Sequence, residues 1–131
     1  MIVIDTHVLI WWVSNPEKLS VKAKKILQKE KNNGSIIISS ITVWEISMLV
    51  KKGRLKLTMD ADKWFSEVES LPYVRFMPVD NTIAAKSVTL PGDFHNDPAD
   101  RMIVATAKEQ GAVLVTADER IRQYANVRSL W

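Results

Sequence analysis

Four short stretches of this chain are apolar at nearly every position: Met1 to Ile4, Ser35 to Ile38, Tyr73 to Met77 and Val113 to Thr116. A strand with one wet face alternates apolar and polar residues. These do not, so each is expected to be a strand covered on both sides. Between them the spacing changes to that of helices. Thr6 to Val13 is apolar almost throughout and ends at Asn15-Pro16. Ser20 opens a second helix to about Lys31, with Val21, Ile26 and Leu27 inward, and Asn32-Asn33-Gly34 stops it. Ser39, Ser40 or Thr42 begins a third, which carries Trp44 to Val50 as far as the break at Gly53. A fourth runs from Asp60 or Asp62 to about Ser70, and a fifth from Asn81 to about Val88, before a loop from Thr89 to Asn96. Asp97-Pro98 opens a sixth, since proline suits the first helical position, and Gly111 closes it after Gln110. Asp118 to Tyr124 is a last short helix, and Val127 to Ser129 an edge strand.

Strands that alternate with helices in this way predict an α/β fold. The expected architecture is a three-layer α/β/α sandwich around a mostly parallel sheet of four to five strands. At 131 residues and 47% hydrophobic, the chain suits one domain over 1–131 with a substantial core. Linkers rich in Pro, Gly or Ser, internal repeats and low-complexity tracts are absent.

The chain has no cysteine, which excludes disulfides and thiolate metal sites; any metal must be held by oxygen or histidine. The opening apolar run is too short for a signal or a membrane span, so the expected compartment is the cytoplasm. Net charge is a mild +3, but the basic residues cluster at Lys22 to Lys31 and at Lys51 to Lys56. Such clusters beside an acidic centre suit a polyanion held by its phosphates, and they also suit plain solvated helix faces.

The acidic centre follows from the strand ends. In open parallel sheets ligands bind beyond the carboxyl ends of the strands, and Asp5 and Asp118 each come just after one. Asp97 and Asp100 begin the helix that feeds the Val113 strand, so they are expected at the same edge. Glu45 has Ile41, Met48 and Leu49 at i−4, i+3 and i+4, which suggests that it points the way the core does. Singly, each acid has a simpler role: Asp5, Asp97 and Asp118 are good helix N-caps, and Thr42-x-x-Glu45 is a capping box. As a set, convergent carboxylates repel unless a cation lies between them. Mg2+ or Mn2+ takes hard oxygen ligands of this kind, and one or two such ions suit phosphoryl chemistry. Within the sixth helix Asp97 is expected as the cap and Asp100 as the cation-facing ligand.

Thr6 and Thr116 lie beside key aspartates, where a hydroxyl can position a carboxylate or a water. Arg101 is expected either on a phosphate or paired with Asp97 or Asp100. His7 and His95 have no zinc-site spacing. No serine or cysteine shows a nucleophile pattern, and the four glycines form no phosphate loop. Trp11, Trp12, Trp44 and Met48 read as core plus an exposed apolar groove that a partner segment could cover.

Four pieces in order resemble the PIN-domain ribonucleases, and within them the toxins of VapBC-type toxin–antitoxin pairs. They are Ile4-Asp5-Thr6-His7, Ser40 to Ile46, His95 to Ala107 and Leu114-Val115-Thr116-Ala117-Asp118. The resemblance spans nearly the whole length. It implies a PIN-like fold and Mg2+- or Mn2+-dependent endonucleolytic cleavage of RNA. The family's acids fall on Asp5, Glu45, Asp100 and Asp118, with Asp97 as an accessory. It also implies a homodimer and a small antitoxin whose tail lies across the active-site groove. The alternative is a non-catalytic RNA- or protein-binding PIN-like module whose acids act only as caps. A phosphohydrolase working through a phospho-aspartate at Asp5 is a weaker reading, because Asp5-Thr6-His7 lacks the second acid of such sites.

Overall fold

The computed structural model describes residues 1–131. Its elements in order are β1 (Ile2–Ile4), α1 (Thr6–Ser14), a 3-10 turn (Pro16–Lys18), α2 (Val21–Asn33), β2 (Ile36–Ser39) and α3 (Ser40–Lys51). Then come α4 (Ala61–Glu69), β3 (Val74–Met77), α5 (Asn81–Val88), α6 (Pro98–Gln110), β4 (Val113–Val115), α7 (Glu119–Arg122) and β5 (Ser129–Leu130). The five strands form one sheet in the order β3-β2-β1-β4-β5, and every pairing is parallel.

The absence of polar alternation now has its cause. Ile2, Ile4, Ile36, Ile38 and Val115 point to one face, where Val8 and Leu9 of α1, Leu27 of α2, Ile46 of α3 and Trp64 of α4 cover them. Val3, Ile37 and Leu114 point to the other, under Ile83 of α5, Ile103 and Val104 of α6 and Ile121 of α7. The expected three layers are present. Completely buried side chains of this size each stabilise the fold by about 1.5–3 kcal/mol relative to exposure. Ser20, Asp60 and Asp97 cap their helices, and Gly34 and Gly111 end α2 and α6 in the left-handed conformation that glycine adopts at little cost.

Two expectations change. The edge strand is Ser129–Leu130 rather than Val127 to Ser129, because Val127 packs into the second core cluster and Arg128 donates to Gly111 O. The third helix is capped by Ser39, whose hydroxyl accepts from Ile41 N at 3.2 Å, so Thr42-x-x-Glu45 is no capping box.

Candidate active site

The chain steps outward from β1 to β2 to β3, then returns to place β4 on the other side of β1. The crevice above the carboxyl ends of β1 and β4 is therefore the switch point where such sheets bind ligands. Asp5 leaves β1 there as the N-cap of α1. Its Oδ1 accepts from Val8 N at 2.9 Å and its Oδ2 accepts from the Thr116 hydroxyl, just past β4. The Thr116 oxygen accepts in turn from Asp118 N at 3.0 Å, and Asp118 caps α7 through Arg120 N at 2.8 Å. Two threonines thus hold acids of the groove in place; the other is Thr6, at the start of α1. Its hydroxyl donates to Glu45 Oε1 at 2.5 Å and lies 3.0 Å from that of Thr42, which is buried on α3.

From the opposite side, Asp97 caps α6 by accepting Asp100 N at 2.9 Å, with Pro98 setting the first turn. The expected division holds in this respect: Asp97 is the cap, while Asp100 stands in the first turn and caps nothing. All five acids, Asp5, Glu45, Asp97, Asp100 and Asp118, line one groove of about 450 Å³, together with Thr6, His7, Trp11, Ala117 and Arg120.

Crowding shows in the acidities. Burial raises the Asp5 carboxyl above the usual carboxylate range, against the hydrogen bonds from Thr116 and Val8 that favour its charged form. Burial likewise raises Glu45, opposed by its bond from Thr6 and reinforced by Asp97. Asp100 is pushed up to about 7, first by burial and then by Asp97, Asp118, Glu45 and Asp5. Arg120 answers only part of this charge: its Nη2 lies 3.8 Å from Asp100 Oδ2 and 3.7 Å from Asp118 Oδ2, on a largely exposed side chain. The donors are hard oxygens that repel one another, which fits a divalent cation of the magnesium or manganese kind. No three of the acids stand close enough together to form a chelating set in this structure.

Two site expectations are corrected. Glu45 does not point into the core: α3 buries Thr42 and Ile46, and Glu45 stands on the groove wall beside them. Ile41, Met48 and Leu49, its helical neighbours, are themselves only half-buried. Arg101 pairs with neither Asp97 nor Asp100 and does not reach the groove. Its guanidinium donates to Ser87 O, Val88 O, Phe94 O and His95 O, clamping the end of α5 and the loop before α6. Arg120 and Thr42 were missed as groove-facing or groove-supporting residues; for Arg120 the available signal was a cation two residues past a strand-end acid.

A family model for the PIN domain matches residues 2–127. Ribonuclease VapC22 of Mycobacterium tuberculosis is 32% identical over 127 residues, which is 97% of this chain and 94% of that relative. Among solved structures, VapBC2 from Rickettsia felis bound to a DNA fragment from their promoter aligns with a TM-score of 0.73 at 18% identity, over 99% of this chain and 98% of that one. FitAcB from Neisseria gonorrhoeae aligns with a TM-score of 0.70 at 22% identity, over 100% and 97%. A toxin–antitoxin complex from Klebsiella pneumoniae does so at 0.66 and 20%, over 100% and 97%.

Proposed function

The chain belongs to the PIN-domain family, and we propose that it is a metal-dependent endoribonuclease, the toxin of a toxin–antitoxin pair. The observation that carries this reading is the groove, where five carboxylates meet with one arginine between them. Asp5, Glu45 and Asp100 hold a Mg2+ or Mn2+ ion, and Asp97 supports them. Asp118 helps hold a second ion or orients the attacking water. A bound divalent ion supplies positive charge against the phosphoryl group and makes a water easier to deprotonate. Thr6 fixes one oxygen of Glu45, and Thr116 fixes Asp5. Arg120, at the rim, presents a guanidinium fork suited to a phosphate. Lys51 follows Glu45 by six residues on α3, about 9 Å along the helix at its usual rise, so the basic run from Lys51 to Lys56 can track an RNA backbone leaving the groove.

A ribonuclease relative supports RNA as substrate, and the toxin–antitoxin complexes among structures of this fold support a small antitoxin as partner. The tail of that partner would lie over the groove and beside Trp44, which is 59% exposed. A homodimer is part of the same reading, as is a cytoplasmic location; no helix is long and apolar enough to cross a membrane.

The test is cleavage of a total RNA preparation in Mn2+ or Mg2+, with EDTA controls. Wild type cuts, and EDTA, Asp5→Asn and Asp100→Asn each abolish cutting while circular dichroism stays native. Cleavage retained in both variants rejects the reading. A non-catalytic module with acids serving as caps draws on the caps that Asp5, Asp97 and Asp118 do form. It leaves Glu45 and Asp100, which cap nothing, without a reason to face the same groove.

A further inference from the structure

We propose that His95 is a positioning residue for Asp100, holding that carboxylate from behind the groove. The inference rests on the reading of Asp100 as an ion ligand. His95 Nδ1 accepts from Asp97 N at 3.3 Å. An imidazole nitrogen that accepts a hydrogen bond carries no hydrogen, so the ring hydrogen sits on Nε2. That Nε2 is buried, lies 3.3 Å from Asp100 Oδ2, and has no hydrogen-bond partner as it stands. A small rotation of the carboxylate completes the bond. His95 is not part of the groove lining and its side chain is 17% exposed, so it approaches Asp100 from the protein side.

The ring itself is held. Phe94 packs against it in a tilted contact at 4.3 Å between centroids, Tyr124 packs tilted against Phe94 at 4.7 Å, and the Tyr124 hydroxyl donates to Pro91 O. Arg101 grips the carbonyls of Phe94 and His95. One imidazole therefore couples the cap of α6 to the orientation of the acid in its first turn. Engaging Oδ2 in this way leaves Oδ1 without a protein partner, available to a cation. Outer partners of this sort orient metal ligands and typically alter metal affinity by about 10- to 100-fold when removed.

The experiment is Mn2+ binding to the intact protein, read by loss of the free-ion paramagnetic resonance signal. His95→Ala, His95→Asn and His95→Gln are compared with wild type. Asn can replace Nδ1 as acceptor for Asp97 N but cannot reach Asp100; Gln carries an amide N–H to about the place of Nε2. The expected result is Mn2+ affinity about 10- to 100-fold weaker in the Ala and Asn variants, with Gln recovering most of the loss. In wild type, 15N resonances of the imidazole show hydrogen on Nε2. A hydrogen on Nδ1, Ala binding as tightly as wild type, or rescue by Asn and not by Gln overturns the role of His95 alone. Wild type that takes up no Mn2+ overturns the Asp100 reading and this inference with it. The resonance assignment needs no variant to fold.

Discussion

Thr116 donates its hydroxyl hydrogen to Asp5 Oδ2 and on the same oxygen accepts the backbone N–H of Asp118. One side chain thereby sets both strand-end acids. Thr116→Val keeps the shape and leaves a buried carboxylate oxygen and a backbone N–H unpaired. The expected cost is about 1–3 kcal/mol in urea denaturation, with loss of RNA cleavage. Thr116→Ser should retain both. If valine is as stable and as active as threonine, the hydroxyl does not organise the pair.

Asp100→Asn removes the charge that Asp97, Asp118, Glu45 and Asp5 oppose. Without divalent ions this variant should melt at a higher temperature than wild type. Mn2+ is expected to raise the melting temperature of wild type by binding only the native state, and should not do so in this variant. Thermal melts in EDTA and in Mn2+ decide both points; an unchanged Mn2+ increment counts against Asp100 as a ligand.

The sign of the pH dependence follows from the same carboxyl. Unfolded, Asp100 releases its proton near the ordinary carboxylate value of 3.8; folded, it does so at about 7. Between these values the native state binds the extra proton. Its stabilising contribution is thus complete below the lower value and is lost as pH climbs through the upper one. The raised Asp5 and Glu45 act in the same direction. In EDTA the melting temperature should fall from about pH 5 to about pH 8, while Mn2+ affinity rises over the same range as the cation ceases to compete with protons. A melting temperature that climbs across this interval in EDTA contradicts the crowding.

Arg101→Lys retains a positive charge but cannot reach four carbonyls with one ammonium. Chemical denaturation should show a loss of about 2 kcal/mol or more, with Arg101→Ala no better rescued by salt. Because the clamp holds the loop that bears His95, Mn2+ affinity should fall with it. A lysine variant as stable as wild type would falsify the clamp.

The strands were legible because a parallel sheet covered on both faces leaves a continuous apolar signature, and Ile36, Ile37 and Ile38 carry it plainly. The meeting of Asp5 and Asp118 in one groove was legible because a strand end fixes where a side chain emerges, even before its direction is known. Glu45 was harder. Helical spacing identifies the neighbours of a residue but not how wide the buried stripe is, and α3 buries only Thr42 and Ile46. Arg101 was misjudged because charge suggests a charged partner, whereas its fork meets unpaired carbonyls at the end of α5, a need that appears only once α5 and α6 are packed together. The edge strand was displaced because packing of Val127 decided where pairing could begin, and strand propensity cannot see that contact.

The register that sets Ile4 beside Val115 also has a consequence for synthesis. Asp5 and Thr116 are 111 positions apart. In a nascent chain Asp5 emerges long before Thr116, and its Oδ2 lacks that partner until the segment of β4 has left the ribosome and slotted in beside β1. Closing so long a loop is an entropically late step. The link between Asp5 and Thr116 therefore forms late, and releasing β4 from β1 breaks it.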